Sequence, residues 1–234
     1  MNRVQLKYLA IVAMICDHIA FFFLPAATPA YFVMRLFGRI TAPLMGFFLV
    51  EGFCHTSSRR KYFMRLLLFA ILSQVPYSLA VFGHVTVTLR SHNLLSCCNV
   101  IVTLLLSFLV LLEAERKDPL WILWEILLIL LSLFCDWGVF LPVLVLLFYF
   151  TRENRKKQLL AAGAWFGIWI ATQLTLYWES GRSPSGFSWW WLGLFLIIPL
   201  ICLYNARRGS NRAFHKWVFY ILYPLQFIVI YAFL

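Results

Sequence analysis

Asp17 and His18 stand side by side inside the apolar run 6–23, LKYLAIVAMICDHIAFFF. A charged side chain at the centre of a bilayer costs at least about 3 kcal/mol, so the carboxylate needs a partner, a wet cavity or a task. An imidazole can take and return a proton near neutrality, because its ordinary pKa is roughly 6.5. Successive residues on a helix point about 100° apart, so one of the pair acts while the other anchors. Arg39 has the charge and reach to serve as the counter-ion of Asp17, since a buried charge needs a charged, hydrogen-bonding partner. Neutral His18 is then left as the general base; the alternative is a purely structural Asp17–Arg39 clamp in which His18 only fills space.

Further polar groups punctuate the other apolar runs: Gln74, Pro76 and Tyr77, then Asn99, then Tyr223, Pro224 and Gln226. Gln74, Tyr77 and Asn99 are hydrogen-bond donors suited to a developing oxyanion, and Tyr223 and Gln226 are polar support. The segment 37–65, FGRITAPLMGFFLVEGFCHTSSRRKYFMR, carries a different chemistry. Gly38, Pro43 and Gly46 allow close approach and a bent helix beside a cavity. Ser57 or Ser58 is placed to cap the next helix, and Arg59, Arg60, Lys61 and Arg65 cluster about that helix start. Such an arrangement either attracts phosphate or serves only to set membrane topology. No nucleotide-loop, nucleophile-elbow or dinucleotide fingerprint occurs. The six cysteines show no CxxC and no zinc-ligand spacing, so they read as small apolar packing residues and no metal is expected.

The elements that position these groups follow from composition. The chain is 63% hydrophobic and 12% charged over 234 residues. Soluble domains run at about 45–50% and 25%, so this is a polytopic membrane protein. Nine apolar segments are marked: 6–25, 36–54, 62–82, 98–112, 119–135, 138–151, 158–178, 187–205 and 217–234. The expected fold is an all-α bundle of about nine transmembrane helices forming one integral domain over 1–234.

Fourteen Lys and Arg residues lie in the even-numbered loops (59–65, 116–117, 152–157, 207–216), against four in the odd loops, Arg35, Arg39, Arg90 and Arg182. The positive-inside rule makes the even loops and the N-terminus cytoplasmic. Because the basic residues fall in clusters between apolar runs, the net charge of +11 marks membrane topology and not a nucleic-acid surface. The lipid bilayer is the expected partner. With this orientation Asp17, His18, Arg39, Gln74, Asn99 and Tyr223 all lie at or beyond mid-membrane, away from the cytoplasmic basic cluster.

The runs MICDHIAFFF, FGRITAPLMGFFLVEGF, HTSSRRKYFMRLLLFAILSQVPYSLA, NVIVTLLLSFLVLL, DWGVFLPVLVLLFYFTR and YILYPLQFIVIY together resemble the TraX family of membrane proteins over nearly the whole chain. The Asp-His pair, Gly-Arg-x-x-x-Pro and Gln-x-Pro-Tyr carry the likeness, through Asp17, His18, Gly38, Arg39, Pro43, Gln74, Pro76, Tyr77, Asn99, Tyr223 and Pro224. The resemblance implies a bacterial inner-membrane protein, since the family's named member is implicated in N-terminal acetylation of conjugative pilin. It also implies kinship with integral-membrane acyltransferases that draw on cytosolic acetyl-CoA. One departure stands out: members commonly read Tyr-Pro-x-His in the last span, and here Gln226 replaces that histidine.

The expected function is transfer of an acetyl group from acetyl-CoA to an amine or hydroxyl acceptor, such as a protein N-terminus, a glycan or a small amine. His18, Asp17 and Arg39 would form the catalytic set, and Arg59, Arg60, Lys61 and Arg65 would dock the coenzyme A phosphates. The rivals are a proton-coupled exporter using Asp17, His18 and Arg39 as a relay, and a non-catalytic conjugation or envelope scaffold. The absence of repeated halves weighs against the exporter. The sequence gives no oligomeric state.

Overall fold

The computed structural model describes residues 1–84, 97–116, 119–181, 186–207, 209 and 213–234. Arg90, Lys117, Arg182, Arg208 and Arg212, which enter the basic-residue count, lie outside the described residues. The described chain is helical: α1 Arg3–Phe23, α2 Pro29–Gly38, α3 Thr41–His55, α4 Arg59–Phe82, α5 Val100–Glu115, α6 Trp121–Leu131, α7 Phe140–Phe150, α8 Arg155–Glu179, α9 Ile197–Leu203 and α10 Ala213–Phe233. Short 3₁₀ turns, Ser132–Phe134 and Trp189–Leu196, continue α6 and lead into α9.

Local chemistry sets the ends of these helices. Asn2 and Gln5 form a reciprocal capping box at the start of α1. Thr28 caps α2 with Pro29 at its first turn, where a missing N–H costs nothing. Ser58, one of the two serines expected there, caps α4 through the amide of Lys61 at 3.3 Å. Gly83, at φ 72°, closes α4 in a left-handed turn that glycine adopts without strain.

Among the described residues, four stretches have the length and composition to cross a membrane: Arg3–Phe23, Pro29–His55, Arg59–Phe82 and Arg155–Glu179. Trp121–Phe134, Phe140–Phe150, Trp189–Leu203 and Trp217–Phe233 are shorter apolar helices. The second stretch begins at Pro29, seven residues before the apolar run marked in the sequence, because the Thr28–Pro29 cap starts a helix ahead of the most apolar residues. Burial is inverted relative to a water-soluble helix. On α4, Ser73 and Ser78 are fully buried while Leu68, Ile71 and Leu72 are more than half exposed. Apolar side chains face outward because the expected solvent is hydrocarbon, and the polar groups turn inward to find partners.

The chain divides into two compact units: residues 1–44 with 150–211, and residues 45–149 with 212–234. The division falls inside α3. In the first unit α1 packs on α2, α2 on the 3₁₀ segment 189–196, and that segment on α8. The N-terminus is tied in by Asn205 N–H to the Met1 carbonyl (3.0 Å) and Arg3 N–H to the Arg207 carbonyl (2.9 Å). In the second unit α4 packs on both α5 and α10, and α5 on α6. Its core is aromatic, with Phe53, Tyr62 and Tyr149 ranged about Phe108 and one another at ring separations of 5.2–6.1 Å.

Candidate active site

In the first unit, Asp17 of α1 receives two arginines, Arg35 of α2 and Arg39, the residue that caps the end of α2. Arg39 donates from Nη2 to both carboxylate oxygens, at 2.7 and 2.6 Å, and Arg35 donates from Nη1 to Oδ2 at 2.8 Å. The expected Asp17–Arg39 pair is present, and Arg35 is an addition. Arg35 and Arg39 are four residues apart, so a helix places them on one face, and α2 begins early enough to include Arg35. The three side chains are only 7–13% exposed.

Two close backbone approaches build this clamp. A Cβ on Gly38 would collide with the Asp17 side chain, reaching its Cγ at 2.6 Å, so only glycine lets α2 lie this near α1. A Cβ on Gly193 would run into the backbone of Leu36, with its carbonyl carbon at 2.7 Å. That contact brings the tryptophan-rich 3₁₀ segment down onto α2. The Trp191 ring then covers Arg39 at 5.0 Å, and Trp190, Phe21 and Tyr31 surround Arg35 at 5.2–5.9 Å. Aromatic faces offer a desolvated guanidinium a cation–π surface that lipid cannot. His18, the next residue on α1, is half-buried.

The second unit holds the other polar residues. Asn99 caps α5 through the amide of Ile101 (2.9 Å) and donates both side-chain hydrogens, to the Ala70 carbonyl at 2.9 Å and to Gln74 Oε1 at 2.8 Å. Gln74 in turn donates to the Cys97 carbonyl (2.8 Å) and to Ser78 Oγ (3.2 Å). The Tyr223 hydroxyl accepts from the Val100 amide at 3.3 Å, while Tyr77 and Tyr223 both stack edge-on against Phe227. Gln74, Asn99 and Tyr223 therefore form one network that fixes the start of α5 between α4 and α10. The amide hydrogens expected to face an oxyanion are engaged in this network. Among the described residues the buried side-chain amide of Gln226 has no hydrogen-bond partner.

The basic cluster at the start of α4 is less uniform than its sequence suggests. Arg59 makes a two-pronged ion pair with Glu115 at the end of α5, one prong at 2.8 Å, and lies over the Phe53 ring at 4.2 Å. Tyr149 also donates to Glu115, at 3.1 Å. Arg65 lies over Tyr62 at 5.3 Å. Arg60 and Lys61 are exposed. Of the four residues assigned to phosphate, these two present the most accessible charge.

Asp17, His18, Arg35 and Arg39 belong to the first unit, and Gln74, Tyr77, Asn99, Tyr223, Gln226 and the basic cluster belong to the second. Residues 2–233 match the TraX protein family. The chain belongs to the TraX family. Consistent with this, it is 33% identical over 226 residues to a probable fimbrial assembly protein FimC, serogroup H1, of Dichelobacter nodosus, covering 95% of this chain and 91% of that one. No solved structure matches the chain. In this TraX-family member, residues that carry the sequence resemblance sit at structural joints. Gly38 and Arg39 make the α1–α2 clamp, and Gln74 and Asn99 make the α4–α5 network.

Proposed function

We propose that this TraX-family protein is a membrane-embedded acetyltransferase of the bacterial inner membrane, with a cytoplasmic N-terminus, acting in pilus or fimbrial assembly. The observation that carries the reading is the clamp on Asp17 beside His18. Two guanidiniums and a carboxylate held by close-packed glycines, in a chain otherwise surfaced with leucine and phenylalanine, are an expensive arrangement that intramembrane chemistry explains.

In this reading the carboxylate of Asp17 is committed to Arg35 and Arg39, so it fixes α1 against α2 and does not take the proton itself. His18, pointing elsewhere on α1, accepts the proton of an amine or hydroxyl as that group attacks the acetyl carbonyl. The carbon–sulfur bond of the thioester breaks, and His18 returns the proton to the departing coenzyme A thiolate. Acetyl-CoA is a co-substrate here, and the exposed Arg60 and Lys61 with Arg65 suit its phosphates better than Arg59, whose charge Glu115 already answers.

The fimbrial assembly role named for the relative fits an acceptor that is a pilin N-terminus. A non-catalytic assembly scaffold is the second reading, favoured by the engagement of Gln74 and Asn99 and by glutamine at 226. Purified protein in liposomes, given acetyl-CoA labelled in the acetyl group, separates the two. Thioester cleavage dependent on His18 supports the enzyme, and wild-type protein that neither binds nor cleaves acetyl-CoA supports the scaffold.

A further inference from the structure

Three of the six cysteines, scattered in sequence, meet in the second unit. Cys98 and Cys135 are paired by a parallel β-bridge. Cys98 N–H donates to the Phe134 carbonyl at 3.0 Å, and Asp136 N–H donates to the Cys98 carbonyl at 2.8 Å. Cys97 Sγ lies 3.7 Å from Cys98 Sγ and donates to the Phe134 carbonyl at 3.1 Å. All are free thiols in this structure.

The pairing sets the geometry. Directly bridged residues on neighbouring strands sit about 4.7–4.9 Å apart, and their side chains leave on the same side. That spacing falls within the Cα separation of about 4.4–6.8 Å that a disulfide spans. Adjacent Cys97 and Cys98 are close for a different reason, and joining them would close a small ring around a peptide unit that resists distortion. Access also differs: Cys97 and Cys98 are half-exposed, and Cys135 is 3% exposed. Among the described residues no three such side chains are arranged to hold a metal ion. The distribution of basic residues assigns the start of the fourth apolar segment and the end of the fifth to the non-cytoplasmic side, where disulfides persist.

We propose that Cys98 and Cys135 form a disulfide, made by exchange with a protein or small-molecule disulfide outside the cytoplasmic membrane. The Cys98 thiolate attacks one sulfur of the oxidant, whose other sulfur leaves as a thiolate. Cys135 then attacks Cys98 Sγ of that mixed disulfide, and the second oxidant sulfur leaves. Two thiols of the protein become one disulfide, the oxidant disulfide becomes two thiols, and the two protons pass to those thiols. The bond staples the entry to α5 to the turn after α6. That entry is the one held by the Gln74–Asn99 network, because Gln74 donates to the Cys97 carbonyl. The inference does not depend on acetyl transfer.

The test uses full-length protein in membranes harvested without reductant, acid-quenched, alkylated with N-ethylmaleimide and mapped by non-reducing proteolysis and mass spectrometry. The expected result is a linked Cys98–Cys135 peptide pair in the wild type and in Cys97→Ser, split by dithiothreitol. The pair is lost in Cys98→Ser and in Cys135→Ser. Alkylation of both Cys98 and Cys135 in the unreduced wild type overturns the proposal, as does a Cys97–Cys98 link. Because the wild type alone decides the matter, failure of Cys98→Ser or Cys135→Ser to fold does not.

Discussion

Replacing Asp17 with asparagine keeps the shape of the side chain and removes the charge that two guanidiniums share. Asparagine can still accept from one of them, but its amide nitrogen would face the other donor. Arg39 and Arg35 are 7% and 13% exposed, and aromatic rings cover them, so water cannot replace the carboxylate. Removing one partner of a buried ion pair costs about 3–5 kcal/mol, chiefly as the penalty of the stranded charge. For a chain of this size that corresponds to a fall of about 10 °C in melting temperature, at about 2–4 °C per kcal/mol. Thermal unfolding of purified protein in one detergent measures it. Arg35→Gln should cost less than Arg39→Gln, because Arg39 contacts both carboxylate oxygens and Arg35 only one. Unchanged melting of Asp17→Asn, or a larger loss for Arg35→Gln than for Arg39→Gln, would refute the clamp as the joint between α1 and α2.

Other outcomes follow from the same contacts. Gly193→Ala should destabilise more than Gly38→Ala, since its new methyl meets the Leu36 backbone, which cannot rotate away, whereas Asp17 is a side chain; melting of the two variants side by side checks the order. Asn99→Ala should cost about 2–4 kcal/mol by losing a helix cap and the side-chain hydrogen bonds to the Ala70 carbonyl and Gln74 Oε1, while the residue-99 amide still donates to Gln74; Asn99→Ser should recover the cap portion, as chemical denaturation in mixed micelles will show. Burial and the neighbouring Cys98 thiol push the Cys97 thiol up to about 11, so in reduced protein its maleimide labelling should rise about tenfold per pH unit between pH 7 and 9.

How far the sequence carried the account depends on the separation between partners. Asp17 and Arg39 were legible because an acid in hydrocarbon demands a base, and few lie nearby. Arg35 was missed because 29–35 reads as a loop until Thr28–Pro29 is recognised as a cap and first turn; the four-residue spacing to Arg39 was the available signal. Gln74 and Asn99 stood out as polar, but nothing in a linear pattern says that they bond one another. The Glu115 that answers Arg59 is 56 residues away, and the meeting of Cys98 with Cys135 depends on the packing of α5 against α6. Segment lengths were the weakest part. Composition marks apolar stretches well, but whether a stretch becomes one long helix or a 3₁₀ turn leading into a short α-helix, as at 189–203, is decided by packing such as the Gly193–Leu36 contact.

The central claim is that His18 works while Asp17 holds. It is tested most directly by the initial rate of coenzyme A release from acetyl-CoA in proteoliposomes, compared between wild type and His18→Ala at equal folded protein. The account predicts release by the wild type above empty liposomes and a loss of about 100-fold or more in His18→Ala, the usual scale for a general base. Equal rates in the two proteins, or no release by the wild type, would contradict it.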